Sequence, residues 1–442
     1  MTTAQEGADS AAEVAAEADG RRVSDRLAAK PAARLLRTDL PGRRLPGGSP
    51  RAFDDPALQA FSDLSLGEIA ERAALKRIDV VAWRDFDDPE AGGSELHAHR
   101  VLSLWSAAGL DISMRTSTVP GAPGTVRRDG YRVVRRSGRL SLFPRTMLSG
   151  ALGRIGFGDG VVEIWNGMPF FSPLWSRAPR IVFLHHVHAE MWKMVLPGGL
   201  ARLGFTIEHH LAPPFYRTTR IVTLSHSSKA EIVDRLGLPA GRIVVSPPGV
   251  EDHFSPGGER SVVPLVVAVG RLVPVKRFHL LIGALVRLRD RHPDLRAVIV
   301  GEGYERPALE ALVARYGATD WISLPGYVPD DELVQLYRSA WVLASTSQRE
   351  GWGMTVTEAG ACGTPAVATR IGGHEDAVDD GVSGLLVDDA DGLVASLDEV
   401  LSDEVLRHRL GHGARRRADG LTWDDTARGA LAALAAEAIA RR

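Results

Sequence analysis

The 442-residue chain reads as α/β, with two domains each built on a parallel β-sheet covered by helices. Three observations predict this. Short, nearly continuous apolar and β-branched runs alternate with longer stretches of helical spacing, as expected of strands buried on both faces of a parallel sheet. The alternation occurs in two series of similar length. Proline and glycine cluster between them, at Pro247-Pro248-Gly249 and Ser255-Pro256-Gly257-Gly258, and punctuate a linker.

In the first series, strands are expected at residues 78–83, 161–165, 180–184 and 220–224. A helix is expected at 95–108, where Leu96, His99, Val101, Leu102 and Trp105 mark one side. In the second, strands are expected at 265–269, 297–300, 322–324, 341–344 and 365–368, with a helix at 278–290. The domain boundaries follow as 77–258 and 259–421. Residues 1–20 are small and polar, and 21–75 are rich in Arg, Pro and Gly and weakly helical near 64–75. The whole of 1–76 is expected to be disordered or loosely packed. Ligands of open parallel sheets bind beyond the carboxyl ends of the strands, so two such sheets facing each other make an interdomain cleft.

Composition narrows the class. The chain is 44% hydrophobic and 24% charged, as globular proteins are. A net charge of -2 gives no electrostatic basis for nucleic-acid binding. The single cysteine, Cys362, excludes an intrachain disulfide and a cysteine zinc cluster. No apolar run reaches the ~18 residues of a spanning helix. The acidic, alanine-rich start lacks the pattern of a secretory signal, so a cytoplasmic location is expected.

Four motifs carry chemistry. Gly92-Gly93-Ser94-Glu95 follows the first strand and opens a helix, where backbone can approach a ligand and the helix terminus favours an anion. A plain strand-to-helix turn reads equally well. Gly270-Arg271-Leu272-Val273-Pro274-Val275-Lys276 places a planar cation and a point cation on one loop after a strand, a pairing suited to a diphosphate. Their position, and the rarity of lysine here, argue against a solvated surface pair.

The third motif is Glu350-Gly351-Trp352-Gly353-Met354-Thr355-Val356-Thr357-Glu358. Eight helical steps leave the carboxylates about 80° out of line. Glu350 therefore belongs in the loop and Glu358 on a helix starting near Gly353. The amides of Gly353, Met354 and Thr355 would then face an anion. A glycosidase-like carboxylate pair is the rival, but a hydrolase has no need of the two cations. In the fourth, Leu184-His185-His186-Val187-His188, three histidines lie at a strand end. Adjacent residues on a strand face opposite ways and no acidic or cysteine partner stands at ligand spacing, so one histidine facing the cleft is expected rather than zinc. Asn166, also at a strand end, is placed to touch a sugar hydroxyl. Trp105, Trp341 and Trp423 read as packing groups.

Together these segments resemble glycosyltransferase family 4, the retaining nucleotide-sugar transferases with the GT-B fold of two facing Rossmann-like domains. The resemblance covers about residues 77–440 and is most specific in the second domain. There it rests on Gly270-Arg271 with Lys276, Val300-Gly301-Glu302-Gly303, Leu324-Pro325-Gly326-Tyr327-Val328, and Glu350 to Glu358 running into Ala361-Cys362-Gly363-Thr364-Pro365.

The resemblance implies that Arg271 and Lys276 hold the donor diphosphate and that Glu350 binds donor-sugar hydroxyls. Met354 and Thr355 give amides, Glu358 binds the ribose, and backbone near Val328 meets the base. Gly92 and Gly93 close over the diphosphate from the first domain. The family's first-domain histidine matches His185, with His186 the alternative. Residues 422–442 would be a helix crossing back onto the first domain. The implied reaction moves a hexosyl group from a UDP- or GDP-linked sugar to an acceptor hydroxyl, with retention and without a metal or other cofactor. A nucleotide-sugar epimerase, a phosphorylase and a non-catalytic sugar-nucleotide binder are the competing functions. The last would be expected to lack Arg271, Lys276 or Glu350, and all three are present.

The acceptor leaves no signature. Residues 139–157 mix arginine with Leu140, Leu142, Phe143, Met147, Leu148 and Leu152. An ordinary packed helix is the favoured reading, and a peripheral contact with the inner face of a membrane the other.

Overall fold

The computed structural model describes residues 52–195 and 197–442. The first domain supplies β1 (Arg77–Val81), β2 (Asp111–Thr116), β3 (Thr125–Arg128), β4 (Tyr131–Arg135), β5 (Gly160–Ile164), β6 (Arg180–Phe183), β7 (Arg220–Thr223) and β8 (Ile243–Val245). They form one sheet in the order β3-β4-β2-β1-β5-β6-β7-β8. Only the β3–β4 hairpin is antiparallel. The second domain supplies β9 (Leu265–Val269), β10 (Arg296–Val300), β11 (Ile322–Gly326), β12 (Val342–Ser345), β13 (Ala366–Thr369) and β14 (Gly384–Val387). Its order is β11-β10-β9-β12-β13-β14, all parallel. Every residue of β5 and β6 is buried, which is why these strands read as unbroken apolar runs.

Strand order reverses at β1 in the first sheet and at β9 in the second. The crevices at such switch points are where open α/β sheets bind ligands. The glycine motif follows β1 and the Arg271–Lys276 loop follows β9.

Nine helices are needed to place the site and its surroundings. They are α1 (Leu66–Arg72), α2 (Gly93–Ala107), α3 (Leu142–Ala151), α4 (Gly198–Thr206), α5 (His226–Leu236), α6 (Phe278–Leu288), α7 (Met354–Ala361), α8 (Glu404–Ala418) and α9 (Trp423–Ala440). The final helix, α9, packs on α1, α2, β6 and β7 of the first domain. Its buried face is mostly alanine: Ala427, Ala430, Ala432, Ala433 and Ala435 are fully covered. Small side chains let it approach closely. Leu434 lies against Gly160, and the Trp105 indole N–H donates to the Ala427 carbonyl at 2.9 Å.

The stretch up to residue 76 differs from expectation over its described part. Leu58, Phe61 and Ile69 are buried in the same core as α9. A capping box starts α1, with the Ser65 N–H donating to the Glu68 carboxylate at 2.8 Å and the Glu68 N–H returning to Ser65 Oγ. The Arg428 guanidinium of α9 donates to the Leu64 carbonyl at 2.9 Å. Residues 52–76 are thus an integral layer, because α9 offers an apolar face that no local sequence pattern reveals. The expectation for residues 1–51 lies outside the described residues.

Candidate active site

The β1–α2 loop is held by charge. Asp85 is fully buried and accepts from Arg128 at 2.6 Å and Arg135 at 2.5 Å. Arg139 reaches Asp88 and Glu90, each at 2.9 Å. The loop ends at Gly92, whose N–H donates to the Glu95 carboxylate at 2.9 Å. Here the domains touch. A Cβ on Gly92 would stand 3.5 Å from Arg271 Nε, and one on Gly93 3.2 Å from Met354 Sδ. Four of the expected donor-site residues, two from each domain, therefore meet across the cleft.

Beside them, Lys276 Nζ is ion-paired with Glu350 Oε1, which also accepts from Ser347 Oγ at 2.7 Å. Burial alone would push the Glu350 carboxyl up, but Lys276 and His374 outweigh it and hold it below the usual carboxylate range. Burial, reinforced by Arg84, lowers the Arg271 guanidinium. The chain turns from Glu350 into α7 through Gly353 at φ 111, a conformation that glycine adopts without strain. No side chain caps the first turn of α7, so the Met354 and Thr355 amides stand at an uncapped helix terminus. Glu350 lies in the loop and Glu358 on the helix, as the spacing predicts. Glu358 accepts from the Tyr337 hydroxyl at 2.9 Å, and burial raises its carboxyl to about 7. Val328 is buried in the loop after β11.

The histidines differ from the first expectation. His185 turns away from the cleft, its Nε2 3.1 Å from His97 Nδ1 on α2, with Phe183 on the same side. Its backbone carbonyl instead meets Gly351, where a Cβ would come within 2.5 Å. His186 feels the charges of Arg349, Glu350 and Arg271, and its ring stacks on His188 at 5.1 Å. Burial holds both down to about 3, and the neighbouring cations add to this. Just beyond the end of β6 at Phe183, His185 lies with Phe183 against His97 of α2, whereas His186 lies with His188. Among the described residues, no group of three or more His, Cys, Asp or Glu is placed to hold a metal ion.

Asn166 donates to Ser94 Oγ at 3.4 Å, at the start of α2. Trp105 and Trp423 are buried, and the Trp341 indole N–H donates to the Ser261 carbonyl at 2.7 Å. Sequence reasoning passed over Ser347, Gly373 and His374. A Cβ on Gly373 would lie 2.5 Å from the Glu350 carbonyl, and His374 packs on Gly353 while hydrogen-bonding Ser345 Oγ and the Thr369 carbonyl. The dipeptide Gly372-Gly373 just after β13 was the available signal.

Two Rossmann-like sheets whose switch-point loops converge on one cationic cleft define the GT-B class of fold. Residues 91–254 match the family model described as Glycosyltransferase Family 4, and residues 250–417 that described as Glycosyl transferases group 1. The chain belongs to glycosyltransferase family 4. Its relatives include the D-inositol 3-phosphate glycosyltransferase of Acidothermus cellulolyticus, 38% identical over 232 residues, 48% of this chain and 52% of that one. The protein of that name from Salinispora arenicola is 37% identical over 239 residues, 48% of this chain and 53% of that one. The chain thus spans about half the length of these curated relatives. Among solved structures, sucrose-phosphate synthase of Thermosynechococcus elongatus aligns with a TM-score of 0.68 and 22% identity, over 80% of this chain and 96% of that one. Anabaena HepE in complex with UDP-glucose aligns with a TM-score of 0.63 and 18% identity, over 80% and 98%. These two likenesses concern the fold.

Proposed function

We propose that this protein is a retaining glycosyltransferase that moves a hexosyl group from a nucleoside diphosphate sugar to an acceptor hydroxyl. The observation that carries the reading is the meeting of Gly92 with Arg271 and Gly93 with Met354, beside the Lys276–Glu350 pair. Relatives named as glycosyltransferases support the reaction class, and the UDP-glucose held by HepE supports a UDP-linked donor.

The chemical problem is departure of a diphosphate from the anomeric carbon. Its growing charge is met by Arg271, Lys276 and the first-turn amides of α7, already in place before reaction. These groups supply the countercharge without calling on a metal. Glu350 takes donor-sugar hydroxyls, with Lys276 keeping it ionised. Glu358 offers its second oxygen to the ribose, and backbone near Val328 meets the base. Gly92 and Gly93 cover the diphosphate from the first domain. His186, rather than His185, faces the transferred sugar. Among the described residues no side chain stands out as a covalent nucleophile, so retention is assigned to a front-face substitution in which the departing phosphate takes the acceptor's proton. Contact of the two domains excludes water from that step.

The test is a thermal-shift series with UDP, GDP, ADP and their sugar conjugates. A ligand that binds only the folded chain raises the melting temperature by mass action. One nucleotide series should stabilise the protein, and Arg271→Ala should abolish the shift. No shift at millimolar ligand would overturn the donor assignment.

A further inference from the structure

One surface of the first domain is unusually apolar. Among the described residues, most exposed large apolar side chains fall between Leu140 and Phe215. They include Leu148, Leu152, Leu174, Leu203, Leu211 and Phe215, all at least 38% exposed. They are contiguous in space through their elements. Helix α3 packs on the turn Ser172–Trp175, that turn on Pro213–Tyr216, that on Ile207–Leu211, and that on α4. Phe171 and Phe215 meet edge to face at 5.9 Å within this series. The packed-helix reading of residues 139–157 holds for one face of α3, where Leu142, Phe143 and Thr146 are buried. The other face presents Leu148 and Leu152.

The segments that build this surface carry one sign of exposed charge, and the exposed Glu190 beside them is paired with Arg235. Residues 140–157 contain no acid, and residues 191–217 contain only Glu208. Glu208 is fully buried and accepts from the His188 N–H at 2.8 Å and the Trp192 indole N–H at 2.8 Å. Arg145, Arg154, Arg202 and Arg217 are exposed, and none of the four makes an ion pair among the described residues. By contrast Arg139, Arg235 and Arg242 nearby in sequence are paired.

We propose that this face docks on an anionic lipid bilayer, with the leucines and phenylalanines entering the interface and the four arginines meeting headgroup phosphates. Exposed apolar patches of this kind mark interaction sites. The uniform charge selects the occupant. A second copy in a two-fold dimer would set arginine against arginine, whereas an anionic surface complements them. No helix among the described residues is long and apolar enough to cross a membrane, so the contact is peripheral. The buried Glu208 ties this face to the His188 loop, so the docked surface adjoins the first-domain wall of the cleft.

The test is co-sedimentation of the full chain with phosphatidylcholine vesicles, with and without phosphatidylglycerol. Binding should require the anionic lipid and should weaken several-fold in ~0.5 M salt. The pairs Leu148→Glu with Leu152→Glu, and Leu203→Glu with Leu211→Glu, should each weaken binding about tenfold or more. Val405→Glu, on an exposed position of the second domain, should leave it unchanged. Melting temperatures should match across the variants, since every replaced side chain is exposed. Failure to sediment with anionic vesicles at low salt would overturn the proposal. So would binding that survives both leucine pairs, or a dimer in solution that those pairs dissociate. None of these outcomes depends on the donor assignment.

Discussion

Glu350 shows how a single position combines electrostatic and steric demands. Its carboxylate is kept ionised in a buried loop by Lys276, its Ser347 hydrogen bond fixes the orientation, and Gly373 leaves the space for its backbone. Glu350→Gln keeps the shape but removes the charge. It should lower transfer by about 100-fold, the size of a lost preorganised polar contact, with the melting temperature nearly unchanged. Steady-state transfer kinetics beside a melting curve check this, and unaltered turnover would remove Glu350 from the donor site. The placement of Arg271, Lys276 and Glu350 in segments that follow strands, with Glu358 on a helix, was legible from the spacing of the motifs. The sides taken by His185 and His186 were not, because neighbouring residues in an extended segment differ only in which face they take. Ser347, Gly373 and His374 act through contacts with other loops, which leave no local pattern.

Among the elements, α9 determines most about the first domain. Eighteen residues of mostly small side chains lie across α1, α2 and the sheet, and Leu434 fits over Gly160. Leu434→Ala would leave a cavity in a face that cannot close without moving the helix, and should cost about 2–5 kcal/mol. Denaturant unfolding measures it, and a loss below ~1 kcal/mol would mean that α9 is a detachable strap. Strands β1, β5–β7 and β9–β13 were readable in order as short apolar runs, whereas β2–β4, β8 and β14 were passed over. The packing of α1 was not readable, since its partner lies some 350 residues away in the chain. The capping box at Ser65 and Glu68 starts the helix but says nothing of what the helix covers.

For the molecule as a whole, buried ionisable groups set the response to pH. Burial holds His185, His186 and His188 at about 3, against 6.5 for a free side chain. Below about pH 6.5 the unfolded chain therefore binds protons that the folded chain refuses, and stability falls as acid is added. Glu208 and Glu358 oppose this. Burial raises both from 4.5 to about 7, so between those values the folded chain keeps protons that the unfolded chain releases. Their effect is a stability that declines as pH rises through that window. Burial lowers His97, His99 and His374 as well, so the histidines outnumber the raised carboxylates. The melting temperature should fall steadily from pH 7 to pH 5. His188→Gln should flatten that fall, and a melting temperature that rises with acid would show the carboxylates to dominate.

The amino-acid order alone determined the α/β class, the division into two parallel sheets and the family. Strand and helix periods, glycine turns and the Glu350–Glu358 spacing are local properties that chain neighbours enforce. Only the tertiary structure decided that His185 sits against His97 of α2, that residues 52–76 belong to the core, and that the apolar side chains of residues 140–215 form one exposed face. Each of these depends on surfaces brought together from distant parts of the chain. Burial and contact there are set by the packed sheets and helices, and no short window of sequence contains both partners.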